Sequence, residues 1–172
     1  PVYPYTDGNP EKEITPVSYN GEATRHASYK VEKPHVLIPV FPGTNCEWDT
    51  AHAFERAGGE AEIFVIKNLT AKDIEESADI FAEKIRKSQI IAIPGGFSGG
   101  DEPEGSAKFI TAFFRKPKVK AAVSELLDER EGLMCGICNG FQALIKLGLV
   151  PYGKIIDTDE HCPTLTFNTI GR

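Results

Sequence analysis

Four cysteines, four histidines and two glycine-framed turns hold most of the chemistry open to this sequence. The strongest pattern is Gly136-Ile137-Cys138-Asn139-Gly140, the G-x-S-x-G nucleophile elbow with cysteine in place of serine. Glycines two before and two after let the backbone turn sharply and let a helix start close against the strand. Cys138 is therefore expected at the tip of that turn. The start of a helix offers unpaired N–H groups and the positive end of the macrodipole, which favour an anion such as a thiolate. The chemistry predicted is attack of sulfur on a carbonyl carbon.

Other readings of these residues compete. Many free cysteines are small buried hydrophobes, but glycines at this spacing, at a strand-to-helix turn, argue against that here. Cys135-Gly136-Ile137-Cys138 is also a C-x-x-C pair, the pattern of a redox site. The first cysteine of such a pair must be exposed to attack, whereas Cys135 is expected to be buried inside the strand. Zinc could be imagined on Cys135, Cys138, His161 and Cys162. His161 and Cys162 are adjacent rather than spaced, which makes a poor half-site, so no metal is expected. Gly96-Phe97-Ser98-Gly99-Gly100 is a second G-x-S-x-G match. The Asp101-Glu102-Pro103-Glu104-Gly105 that follows cannot start a tight helix at Ser98. This loop serves better as a backbone donor. An oxyanion needs two N–H groups aimed at it in advance; a Gly-Gly turn can supply one and Asn139 the other. The plain alternative is a flexible loop. A proton carrier is not marked: His26 precedes the first strand, His35 opens it, His52 lies mid-helix and His161 sits in a loop past the elbow.

The elements that must hold these residues follow from the apolar pattern. Residues 133–137 read as a buried strand. Ala143, Leu144 and Leu147 share a helix face that Gly148 terminates. Upstream, 35–41 is a continuous apolar, β-branched run and reads as a central parallel strand. Pro42-Gly43-Thr44-Asn45 breaks it, and Thr44 or Asn45 can cap a helix over 46–57 that ends at Gly58-Gly59. A second strand is predicted over 61–66, helix over 71–87 in one or two pieces, and a third strand over 89–93. Residues 106–114 suggest another helix. After Pro117, Val119, Ala122, Val123, Leu126 and Leu127 form a core stripe at helical spacing. The central elbow strand comes next, and 154–156 and 164–167 look like short closing strands. This alternation implies an α/β fold: an open, mostly parallel sheet with helices on both faces. Sites in such sheets lie beyond the carboxyl ends of the strands. The loops 41–46 and 94–101 and the Cys138 elbow should therefore sit side by side.

A chain of 172 residues, 41% apolar and 26% charged, describes one ordinary globular domain. A net charge of −6 without a basic cluster argues against nucleic acid. Apolar runs such as 36–41 fall far short of the ~20 residues that span a bilayer. Four cysteines do not make a disulfide scaffold at this length, which favours a cytoplasmic setting. Residues 1–33 hold four of the five tyrosines and show no period, so they read as an extended linker rather than a solvated tail.

Residues 40–46 (Val-Phe-Pro-Gly-Thr-Asn-Cys), 94–101 (Pro-Gly-Gly-Phe-Ser-Gly-Gly-Asp) and 136–142 (Gly-Ile-Cys-Asn-Gly-Phe-Gln) resemble the triad-type, or class I, glutamine amidotransferases. Within them, the match is to the glutaminase domains of phosphoribosylformylglycinamidine synthases. The resemblance covers 34–172 and implies a flavodoxin-like fold. It makes 1–33 a linker from a preceding synthase domain, as in forms that join both activities in one chain. It implies that Cys138 attacks the side-chain amide of L-glutamine. Gly95, Gly96 or Phe97 would hold the oxyanion with Asn139, and Gln142 would shape the pocket. Ammonia would pass to the synthase part, where ATP and Mg²⁺ are expected; no cofactor is expected in 34–172. Gly99 stands where the family usually has tyrosine and Phe141 where it often has cysteine, which bears on the shape of the pocket. The family's His-x-Glu follows the elbow by many residues. Thr166-Phe167-Asn168-Thr169 resembles the segment just before it, so the chain is expected to be cut short of its base. The rivals are a cysteine redox or aldehyde sensor and a cysteine peptidase on the same fold.

Overall fold

The computed structural model describes residues 21, 28, 30–97 and 107–165. Most of the predicted linker, Ser98-Gly99-Gly100, Asp101 and the stretch from Thr166 onward lie outside the described residues. Among the described residues four parallel strands form one sheet: β1 (His35–Val40), β2 (Glu60–Val65), β3 (Ile90–Ile93) and β4 (Leu133–Gly136), in the order β2-β1-β3-β4. Successive strand residues point to opposite faces, and in this chain both faces are apolar. Leu37, Ile91 and Ile93 enter the larger core, whereas Val36, Ile38 and Ala92 pack with Ala51 on the other side.

Helix α1 (Glu47–Arg56) supplies Ala51 and covers that second face. The larger core lies under α2 (Ala71–Lys87), α3 (Lys108–Phe114), α4 (Pro117–Ser124) and α5 (Asn139–Leu147). The short α6 (Leu149–Tyr152) follows α5 directly. Phe41, just past β1, meets Phe113 edge-on with ring centroids 5.4 Å apart, and Phe109 at 5.9 Å. The loop that leaves β1 is thus anchored in the core. Helix α2 runs as one piece, started by a capping box in which Asp73 N–H donates to Thr70 Oγ1 (3.1 Å) and Thr70 N–H donates to Asp73 Oδ2 (2.9 Å). At its other end the Arg130 guanidinium donates to the carbonyls of Ile85, Arg86 and Ser88, which satisfies terminal acceptors that a helix leaves open.

Several expectations need correction. The elbow strand is not central: among the described residues β4 pairs only with β3, and Leu133 is 62% exposed. Neither Thr44 nor Asn45 caps α1; Cys46 does, in a left-handed conformation. Residues 154–156 make no strand. They cross the end of α5, where Ile156 N–H donates to Leu147 O at 2.9 Å. The core stripe after Pro117 is as expected, with Leu127 partly buried against the core, but α4 passes into one π-helical turn, Glu125–Glu129, before β4. That turn, β4, α5 and α6 enclose an apolar groove of about 300 Å³ lined by Leu127, Leu133, Met134, Leu144 and Val150.

Two outcomes follow. Phe113 is 2% exposed and packs on Phe41; Phe113→Ala should lower unfolding free energy by about 3–5 kcal/mol in urea titrations. Glu131 accepts from the Ser28 hydroxyl (2.7 Å) and the Ser28 N–H (2.9 Å), which hold its carboxyl below the usual glutamate range. With the folded value the lower one, this anchor is complete above the ordinary glutamate range and is lost as pH falls through the folded value. A carbon-13 titration of the Glu131 carboxyl should show the depressed midpoint, and Ser28→Ala should return it most of the way.

Candidate active site

Three loops converge at the carboxyl end of the sheet, between β1 and β3, where the strand order reverses. The first is closed by Thr44, whose N–H donates to Phe41 O (2.9 Å) and whose Oγ1 accepts from Phe41 N–H (3.0 Å). Thr44 then faces Gly96 in an antiparallel bridge, through Asn45 N–H to Gly95 O and Phe97 N–H to Gly43 O, both 2.9 Å. A Cβ on Gly96 would fall 2.4 Å from Gly43 O, and Gly96 sits at φ +127, so no side chain fits there. On its other side the second loop meets the elbow: a Cβ built on Gly95 would lie 3.3 Å from Cys138 Cβ. Gly95 is the point where all three loops touch.

The elbow is built by close approach. Ile137 N–H continues the β4 ladder to Ile93 O at 3.0 Å. Two residues later the chain is already helical, because Gly136 and Gly140 have no side chains to hold strand and helix apart. A Cβ on Gly136 would meet Gly140 C at 2.5 Å, and one on Gly140 would meet Ile93 O at 2.2 Å. The reversal is taken up by Cys138, at φ 52 and ψ −107, as the N-cap of α5. Its side chain is exposed.

Asn139 follows in the first turn of α5 with its side chain buried (4% exposed), and its Nδ2 donates to Gln142 Oε1 at 3.2 Å. Gln142 stands one turn after Cys138, its N–H donating to Cys138 O at 3.0 Å, and is half-exposed. Phe97 is 89% exposed, and its N–H is committed to Gly43 O. That bond removes Phe97 as a donor for an oxyanion. In such a pair the facing residues turn their own N–H and C=O outward. Gly96 N–H therefore points away from the first loop, to the side on which β4 and its elbow lie.

Cys46 was not singled out by the sequence. It is exposed at the start of α1, with φ 68, and Asn45 Oδ1 accepts its N–H at 2.9 Å. The available signal was an Asn-Cys step between a Pro-Gly turn and an amphipathic helix. Cys135 is only half-buried, but burial pushes its thiol up, which makes it a poor attacker for a C-x-x-C pair. Cys162 Sγ donates to Asp159 Oδ1 at 3.4 Å. Among the described residues no three His, Cys, Asp or Glu side chains gather as metal ligands. The described histidines are engaged elsewhere. His35 contacts Ser88 Oγ (2.9 Å) and Glu62 (3.3 Å) at the amino end of β1. His52 lines a groove against β2 with Trp48, Glu55 and Ile63, and His161 is exposed beside Glu160.

The positive φ at Cys138 is a strain of order 1–3 kcal/mol for a residue with a Cβ. Cys138→Gly should consequently be more stable than Cys138→Ala by about 1 kcal/mol, the reverse of their order at an ordinary helical site. Urea unfolding of the two variants reads the difference.

A model describing CobB/CobQ-like glutamine amidotransferase domains matches residues 33–172. The chain is 38% identical over 145 residues to the phosphoribosylformylglycinamidine synthase subunit PurQ of Dehalococcoides mccartyi, across 83% of this chain and 50% of that protein. The PurQ subunit of Treponema denticola is 37% identical over 153 residues, across 81% and 50%. Among solved structures, a chain of the Thermotoga maritima PurLQS structure aligns with a TM-score of 0.47 at 30% identity, covering 68% of this chain and 45% of that one. The chain thus spans about half the length of the curated relatives it matches. The span of the domain match, together with these identities, makes the chain a member of the CobB/CobQ-like glutamine amidotransferase family.

Proposed function

We propose that this chain is the glutaminase part of a phosphoribosylformylglycinamidine synthase in purine biosynthesis. The observation that carries the reading is the exposed Cys138 sulfur, held in a strained elbow against Gly95 at the convergence of three loops. The Cys138 thiolate attacks the side-chain carboxamide carbon of L-glutamine, forming a C–S bond while the carbonyl electrons move onto oxygen. Gly96 N–H and the Asn139 backbone N–H, the residue after the nucleophile, hold that oxyanion. Gly95 and Gln142 shape the pocket. Collapse breaks the C–N bond, the nitrogen takes up a proton and ammonia leaves. Water then attacks the thioester, releasing glutamate and the thiol.

No described histidine is placed to carry those protons. We assign that role to a group of the intact protein beyond this chain. ATP and Mg²⁺ belong to the synthase part of the same full-length protein, which receives the ammonia. The described residues do not offer a metal site, and no step above passes through one. Among the described residues no helix is long and apolar enough to cross a membrane. A cytoplasmic setting fits a nucleotide-building step.

A glutamine-shaped chloroketone should place a single adduct on Cys138, read by peptide mass spectrometry, and Cys138→Ser should abolish it. Glutamate release by this chain alone should be at least about 100-fold below that of an intact synthase, the usual loss when a positioned acid–base is missing. Labelling confined to Cys46 would reject Cys138 as the nucleophile. Turnover matching the intact synthase would reject the outside proton carrier.

A further inference from the structure

The side chain of Asn139 is almost wholly buried, yet it is the residue next to the nucleophile and its amide nitrogen is directed at Gln142 Oε1 (3.2 Å). A carboxamide is polar at both ends: its oxygen only accepts and its nitrogen only donates. Whichever end Asn139 holds decides which end Gln142 presents. With Oε1 held by Asn139 Nδ2, the other end of the Gln142 amide is its NH₂. Gln142 lies four residues after Cys138 and its backbone N–H donates to Cys138 O at 3.0 Å, so its side chain leaves the helix one turn from the residue that bears the sulfur.

We infer that Asn139 is a positioning residue that sets the polarity of Gln142, so that Gln142 offers a donor rather than an acceptor to a substrate bound beside Cys138. Such an arrangement suits an oxygen of the amino-acid substrate and rejects a donor turned to the same place. This rests on the glutaminase reading above but goes beyond it, since that reading needs only the backbone of Asn139. A purely structural role would ask no more of Asn139 than that its buried amide find partners.

The test reverses the polarity at constant shape. In Asn139→Asp the carboxylate, favoured at the start of a helix, can only accept, so the Gln142 amide must rotate and show its oxygen to the substrate. Gln142→Glu reaches the same end from a half-exposed position, and it carries the test if the buried variant fails to fold. Each protein is treated with a glutamine-shaped chloroketone and with dithiodipyridine, an aromatic disulfide without a carbonyl. Both rates are read at Cys138 by mass spectrometry. The disulfide reports the reactivity of the sulfur itself, including any effect of the new charge. The ratio of chloroketone to disulfide rates should fall about tenfold in both variants, the effect of losing one hydrogen bond to a substrate oxygen. An unchanged ratio in either folded variant overturns the inference while leaving the glutaminase reading intact. If the unaltered chain reacts with the disulfide and not with the chloroketone, both fall together.

Discussion

Helix α5 comes as near to the sheet as a backbone can, and the contact that permits it is Gly140 against the carbonyl of Ile93, where any Cβ would stand 2.2 Å from the oxygen. Because the helix begins there, Ile93 O can still accept from Ile137 N–H and the ladder between β3 and β4 continues to the edge of the turn. One residue remains to reverse the chain, and it takes the whole change of direction in its own dihedrals. A helix set further out would spread that reversal over several residues and would withdraw Cys138 from Gly95. The exposure of Cys138 is thus a by-product of packing density rather than of a flexible loop.

Strain is distributed unevenly over the described residues. Of the non-glycine residues at positive φ, two are the cysteines that open α1 and α5, and both flank the convergence of loops. Ala107 and Glu131, away from the elbow, also take positive φ, whereas the strands and α2 keep ordinary backbone, as a rigid scaffold should around a distorted turn. The aromatic cluster around Phe41 is part of that support, since it fixes the point from which the first loop departs.

Much of this was legible in the residues alone. Strand-then-helix alternation announced the sheet, the glycine spacing around Cys138 announced the elbow, and the rule that sites gather beyond strand ends placed the three loops together. What could not be read had physical causes. Cys46 as a helix cap depends on the Asn45 side chain taking its N–H, a local competition that propensity does not rank. The choice between Gly96 and Phe97 depends on which peptide bonds to Gly43, and that is a matter of register in a two-residue bridge. The place of β4 in the sheet was misjudged because an apolar run marks burial of faces and says nothing of whether both edges are paired. The 154–156 segment has strand-like residues, but it meets the end of α5 before it can reach a strand partner.

Among the described residues β4 has a strand partner on one side only, and that bears on how the sheet is completed. An edge strand offers its outer peptide groups to a further strand, and here that edge is bordered by the groove lined by Leu127, Met134 and Val150. The two sides of the same four residues thus have different duties: the outer one faces whatever lies beyond the described sheet, and the ladder to β3 holds the elbow in shape.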